Sequence, residues 1–202
     1  MRRSKKLPQI VQEHVAAQAD VPGPPRPVRL LFEDEARFGR ISDARRCWAP
    51  AGVRPEVSVQ MVREYEYAFA AVSPQDGTLD TLVLPTVNTE AMNVFLAEVS
   101  QRHANEFLIM VLDGAGWHRA KRLQVPAQMR LVSLPAWSPQ LNPVEHVWDE
   151  VREKCFSNRV FASLGAVEEQ RVEALLALET DPVRVGSLTG FPWITDIPLN
   201  AN

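Results

Sequence analysis

Cysteine is nearly missing from this chain: among 202 residues only Cys47 and Cys155 occur, far apart and in no ligand spacing. That excludes a disulfide framework and a cysteine-built zinc site, and it fits a reducing cytosol. Long apolar runs are missing as well, since no stretch approaches the roughly 18 residues needed to span a bilayer. The basic start, MRRSKKLPQIVQEHV, has no apolar stretch behind it and does not read as a secretory signal. Nor is there a strong net charge. At -3 the whole-chain balance does not describe a generic polyanion binder. Internal repeats and low-complexity tracts are absent.

What is present describes a cytoplasmic globular protein. Hydrophobic residues make up 46% and charged residues 23%, enough apolar material for one sizeable core with or without an appendage. LPQIVQEHVAAQA (7–19) has helix formers and a partial apolar stripe. DVPGPPRP (20–27) then breaks any helix and predicts an extended linker. Val28, Leu30, Leu31 and Phe32 form a nearly continuous run, as in a strand buried on both faces. RRCWAPAGVRPEVSVQMV reads as two short strands around an Ala51-Gly52 turn, and EYEYAFAAVSPQDGTLDTLVLP as a pair joined by the Pro74-to-Gly77 turn. From Asn88 the period changes: Met92, Phe95, Leu96 and Val99 make a helical stripe that Asn88 or Thr89 can cap. FLIMVL is a buried strand ending at Asp113, MRLVSLP a further short strand, and NPVEHVWDEVREKCF a helix opened by Asn142 and Pro143. Another helix covers roughly 163–178, and the chain after Thr180 is turn-rich. The pattern predicts an α/β mixed sheet flanked by helices.

Three acids fall at element ends. Asp34 follows the first buried run, Asp113 follows the second, and Glu145 stands at the mouth of the helix after the third strand. Each alone has an ordinary reading: Asp34 with Glu35 as a solvated acid pair, Asp113 as a turn residue before glycine, Glu145 as a charge at a helix N-terminus. Sites in open α/β sheets form outside the carboxyl ends of strands. If the two strands are neighbours, Asp34 and Asp113 lie side by side and the helix start swings Glu145 over them. Carboxylates crowded in this way repel unless a cation sits between them, and hard oxygen ligands point to Mg²⁺ or Mn²⁺. Basic residues gather nearby, at Arg37, Arg40, Arg45, Arg46 and Arg54, at Arg119, Lys121 and Arg122, and in the first six residues.

The blocks LLFEDEARFGR, VLDGAGWHRA and LPAWSPQLNPVEHVWDEVR resemble, in order, the three signature blocks of mariner-related bacterial insertion-sequence transposases. The resemblance spans roughly residues 28 to 160, and SPQLNPVEHVW is its most diagnostic part. It implies an RNase H-like fold and a DDE-type enzyme, a transposase performing metal-dependent DNA strand cleavage and strand transfer. Its catalytic and metal-binding triad falls on Asp34, Asp113 and Glu145, with two Mg²⁺ or Mn²⁺ ions. Between Asp113 and Glu145 lie 31 residues, in the low-thirties range of such enzymes. One departure is Gly114, where the family usually has asparagine.

The neighbours read as a DNA surface. Arg37, Arg119 and Lys121 are phosphate-contact candidates. His118 is a candidate to orient a phosphate or water, or a structural histidine, and Trp137 packs on DNA or on the sheet. Trp148 reads as core and Asn142 as a cap. The expected organisation is a short N-terminal helix and proline-rich linker over 1–27, the catalytic domain over 28–180 and a tail over 181–202. About 27 residues are too few for the helix-turn-helix modules that precede such catalytic domains. The resemblance therefore implies the catalytic half, with end recognition in a separate N-terminal portion. Its expected partners are DNA, as transposon ends and target, and a second copy in a homodimer. Two other readings stay open, an inactive remnant that only binds DNA or oligomerises and another RNase H-like nuclease.

Overall fold

The structure is a computed structural model and describes residues 7–18, 26–135 and 137–199. The basic residues Arg2, Arg3, Lys5 and Lys6 and most of the proline-rich linker (19–25) lie outside the described residues. Five strands form one sheet: β1 (Val28–Ile41), β2 (Met61–Ser73), β3 (Thr78–Leu84), β4 (Phe107–Leu112) and β5 (Met129–Ser133). Their order is β3-β2-β1-β4-β5, with the β1–β2 and β2–β3 pairs antiparallel and the β1–β4 and β4–β5 pairs parallel. Helices α1 (Leu7–Ala17), α2 (Thr89–Arg102), α3 (Val144–Val151), α4 (Leu164–Glu179), α5 (Pro182–Thr189) and α6 (Pro192–Thr195) cover the sheet. This is the mixed sheet flanked by helices that the apolar pattern predicts.

Strand alternation splits the core in two. Leu30, Phe32, Ala36 and Phe38 of β1 face one layer, where α1, α3, α4, α5 and α6 pack. Leu31 faces the other, filled by Met92, Phe95, Leu96 and Val99 of α2. The α2 stripe is therefore a core face, and burying each such side chain is worth about 1.5–3 kcal/mol relative to exposure. Asn88 caps α2 through Oδ1, which accepts from the Ala91 amide at 2.8 Å. Far from the strand ends that matter below, Arg29 is bidentate to Glu106, and His103 bridges Glu106 and Asp80.

Three expectations need correction. First, β1 does not end at Asp34; it continues to Ile41 because β2 pairs with it throughout, Asp34 standing opposite Ala70. Second, residues 42–60 form no strand pair. Pro50 and Pro55 withhold amide donors, and the segment has nothing to bury against: Trp48 is 103% exposed. Third, the stretch after Thr180 is not an unpatterned tail. Asp181 caps α5 by accepting from the Arg184 amide, and Val185, Ile194 and Ile197 are buried in the main core. The β2–β3 turn docks there, and Gly77, at φ +73°, could carry no side chain because a Cβ would meet the Pro182 carbonyl. The expected N-terminal helix is α1, and its Leu7, Val11 and Val15 are buried in that same core.

Candidate active site

The parallel β1–β4 register runs from Val28 beside Phe107 to Phe32 beside Val111. Two residues further on, by the same register, Asp34 comes level with Asp113 just past the end of β4. Both keep the parity of Phe32 and Val111, so both belong to the α3 face of the sheet. β4 stops here while β1 runs on beside β2, which leaves one side of β1 without a strand partner. The segment leading into α3 fills that side. Asn142 Nδ2 donates to the Glu33 carbonyl at 2.8 Å, and Asn142 Oδ1 accepts from the Val144 amide at 3.2 Å. The helix mouth is thereby tied to the strand beside Asp34, and Glu145 follows one residue after Val144.

An open cleft of about 420 Å³ results, lined by Asp34, Asp113 and Glu145 together with Trp137, Ser138 and Asn142 among others. Among the described residues its lining holds three carboxylates and no lysine, arginine or histidine. The electrostatics follow. Burial, then the charges of Glu145 and Glu35, push the Asp34 carboxyl up to about 7, against the pull of the Glu35 amide and of Trp148, whose Nε1 donates to Asp34 Oδ2 at 3.1 Å. Burial also raises Glu145. Asp113 is the exposed member, its Oδ1 accepting from the Ala115 amide at 2.8 Å. A set of carboxylates facing a cleft whose described lining has no basic side chain fits a divalent cation held by oxygen ligands.

The other candidates separate. Trp137 is 96% exposed at the cleft with a left-handed backbone, φ 58°, unusual for a bulky residue. Arg119 is exposed and its guanidinium lies against Gly114, where a Cβ would come within 2.5 Å of Nη2. An asparagine at position 114 would therefore force Arg119 aside. Lys121 is exposed two residues on. Arg37 is exposed on the opposite face of β1 from Asp34 and stacks 4.7 Å over the Tyr65 ring. His118 is not a solvent-facing phosphate contact. Its side chain is 1% exposed, with Nδ1 3.0 Å from Asp113 Oδ1 and Nε2 3.2 Å from Glu35 Oε1. Trp117 Nε1 donates to that same Glu35 oxygen at 2.7 Å. Burial opposes protonation of His118, but Glu35 and Asp113 outweigh it and the imidazole is raised. His146 stacks on Phe191, away from the cleft.

Residues 29–168 match the family model described as DDE superfamily endonuclease. The chain belongs to the DDE superfamily endonucleases. It is 37% identical over 130 residues to an uncharacterized protein, y4pE/y4sA, of Sinorhizobium fredii, a match covering 64% of this chain and 96% of that one. The fold is similar to that of the Mos1 mariner transposase in its paired end complex with Mn, with a TM-score of 0.57, 16% identity and 98% of this chain covered. The Mos1 strand transfer complex superposes with a TM-score of 0.55, 14% identity and 95% coverage. In both cases this chain spans 62% of the Mos1 chain's length. The RNase H-like architecture of transposase catalytic cores is thus the architecture of this DDE endonuclease domain.

Proposed function

We propose that this DDE endonuclease domain catalyses metal-dependent DNA strand cleavage and strand transfer, as the catalytic part of a bacterial insertion-sequence transposase acting in the cytoplasm. The observation that carries the reading is the convergence of Asp34, Asp113 and Glu145, from three separate elements, on one cleft whose described lining has no basic side chain. These three would hold the metal, Mg²⁺ or Mn²⁺, in a two-ion arrangement. Bound divalent cations supply positive charge at the attacking and leaving oxygens of an in-line displacement at phosphorus.

The chain's own part is orientation. The indole N–H of Trp148 fixes Asp34 Oδ2, Asn142 fixes the α3 mouth and with it Glu145, and His118 holds Asp113. In cleavage a water oxygen attacks the scissile phosphorus, the P–O3′ bond breaks and the 3′ oxygen leaves as a hydroxyl after taking a proton. In transfer that 3′-hydroxyl attacks a target phosphodiester and displaces its 3′ oxygen. Arg119, Lys121 and Trp137 surround the cleft as DNA contacts, and Arg37 serves DNA lying along the other face. Contacts of this phosphate type weaken steeply with salt. Support also comes from the Mos1 likeness, since those structures are a strand transfer complex and a paired end complex with Mn. Recognition of transposon ends is assigned to a portion outside this domain, and pairing of two ends to a homodimer.

The test is nicking of supercoiled plasmid and joining of a pre-cut 3′-hydroxyl oligonucleotide to it, in Mg²⁺ or Mn²⁺ at low salt. Wild type should do both and Glu145→Gln neither, with an unchanged circular dichroism spectrum. Undiminished cleavage by Glu145→Gln would remove the assignment. Nicking without joining would favour another RNase H-like nuclease.

A further inference from the structure

On the face of β1 opposite Asp34 sits a second acid cluster, joined to the cleft only through the contact of His118 with Asp113. Glu33, Glu35 and His118 each place a ligand atom so that all three lie within 4.8 Å of one another. Their side chains are 0%, 8% and 1% exposed. Neither carboxylate oxygen of Glu33 has a hydrogen-bond partner, an expensive state for a buried charge or even a buried carboxylic acid.

The imidazole is oriented into this cluster. His118 Nδ1 lies 3.0 Å from Asp113 Oδ1, so a proton on Nδ1 serves Asp113 and leaves the Nε2 lone pair facing Glu35 Oε1 at 3.2 Å and Glu33 Oε2 at 3.6 Å. A lone pair aimed at two carboxylates needs a cation between them. A proton on Nε2 answers half of this, because it serves Glu35 but leaves Glu33, at 3.6 Å, outside hydrogen-bond reach. A metal ion answers all of it. The two nitrogen–oxygen edges, 3.2 and 3.6 Å, lie near the roughly 3–3.5 Å edges of a coordination polyhedron with bonds of about 2.0–2.2 Å, and the whole set fits within 4.8 Å. A carboxylate on the far nitrogen is the usual partner of a ligating histidine, and the Trp117 N–H at 2.7 Å does the same for Glu35.

We propose that Glu33, Glu35 and His118 form a second, buried metal site, distinct from the cleft, that takes a first-row divalent ion such as Zn²⁺, Co²⁺ or Mn²⁺. An imidazole in the ligand set selects these over Mg²⁺. Because the site is sealed, the ion enters as the chain folds and is held against chelators. Its link to the cleft is Asp113, which lines the cleft and also anchors His118: an ion on Nε2 fixes the ring, and the ring fixes the carboxylate. The proposal rests on the packing behind β1 and stands whether or not the cleft cuts DNA.

The test is expression in cobalt-supplemented minimal medium, removal of loosely held metal with EDTA, then elemental analysis and the visible absorption of bound Co²⁺. Wild type, Asp34→Asn and Glu145→Gln should each retain one equivalent with the same spectrum, while Glu33→Gln and His118→Ala retain none. As a check free of variants, pulsed electron paramagnetic resonance on Mn²⁺-loaded wild type should show coupling to an imidazole nitrogen, which the three carboxylates of the cleft cannot supply. If Glu33→Gln or His118→Ala fails to fold, that nitrogen coupling decides. Wild type without retained metal, a full equivalent in Glu33→Gln, or Mn²⁺ lacking nitrogen coupling would each overturn the site. Loss in Asp34→Asn with retention in Glu33→Gln would do so too, by moving the ion to the cleft.

Discussion

Trp148 Nε1 donates to Asp34 Oδ2 at 3.1 Å, so one residue serves two structural ends. Its ring is 1% exposed in the main core, edge-on to Phe38, while its single polar atom reaches the acid at the floor of the cleft. A buried indole N–H needs an acceptor, and an acid crowded by Glu145 and Glu35 gains from a donor. Spaced one turn after Glu145 on α3, Trp148 lets one short helix both present an acid and steady another.

Trp148→Phe separates these roles, since the ring keeps most of the packing and loses the donor. Stability should fall by about 1–2 kcal/mol, read as a lower urea midpoint. The Trp148 hydrogen bond draws the Asp34 carboxyl downward, so its loss lets that value rise. The pH of half-maximal metal-dependent cleavage should therefore move upward in Trp148→Phe. An unmoved pH profile would mean that the indole does not act on Asp34.

Asp34 also makes metal-free stability depend on pH, with a sign set by its raised carboxyl. Folded, it titrates at about 7; in the unfolded chain it titrates near the ordinary value of about 3.9. Between those values the folded protein holds a proton that the unfolded chain has released. The contribution of Asp34 is thus complete below about pH 4 and declines as pH rises to about 7. Asn has no such titration. Relative to Asp34→Asn, chelated wild type should lose about 1.4 kcal/mol for each pH unit across that window, leaving the variant the more stable protein at pH 8. Urea melts at several pH values test this, and a difference that stays flat with pH would show that Asp34 ionises normally.

The strands and helices that carry continuous burial are legible in the amino-acid sequence. FLIMVL could only be a doubly covered strand, and the Met92–Phe95–Leu96–Val99 spacing could only be one helix face. Other segments are set by partners distant in sequence or are too short to show a period. β1 beyond Asp34 sets its inward Ala36 and Phe38 between charged residues, and its length is fixed by pairing with β2, a long-range cause that local composition does not carry. α5 is short, yet Asp181 followed by Pro182 is an N-terminal helix signature that could have located it. The meeting of Asp34, Asp113 and Glu145 at one cleft is legible because each follows an apolar run or opens a helix. The contacts of Glu35, Trp117 and His118 are not, because their partners are about 80 residues away: 82 from Trp117 to Glu35 and 83 from His118 to Glu35.

Asn142 shows the same limit. Its capping oxygen is a local feature, but its amide donates to the Glu33 carbonyl, 109 residues away. Asn142→Ala leaves that buried carbonyl without its donor and unties the α3 mouth from β1. A loss of about 1–3 kcal/mol is expected, and metal-dependent nicking should fall further than stability explains, because Glu145 loses its anchor. Measuring nicking well below the melting temperature separates the two effects. Full activity in a destabilised variant would make the clamp purely structural.

Trp137 yields the opposite signature. It is 96% exposed with φ 58°, so it contributes almost no burial and holds a backbone conformation that side chains other than glycine's rarely adopt. Such a local outlier at a cleft points to function, and an exposed indole beside three acids is suited to stack on a base rather than to meet a phosphate. Trp137→Gly relieves the backbone and removes the ring. The variant should be as stable as wild type or more so, by up to about 1 kcal/mol, while affinity for single-stranded or pre-nicked DNA falls by the about 1–3 kcal/mol that stacking on one base supplies. Thermal melts and fluorescence anisotropy measured together decide the matter. A variant that loses stability but keeps its DNA affinity would place Trp137 among the residues that serve the fold.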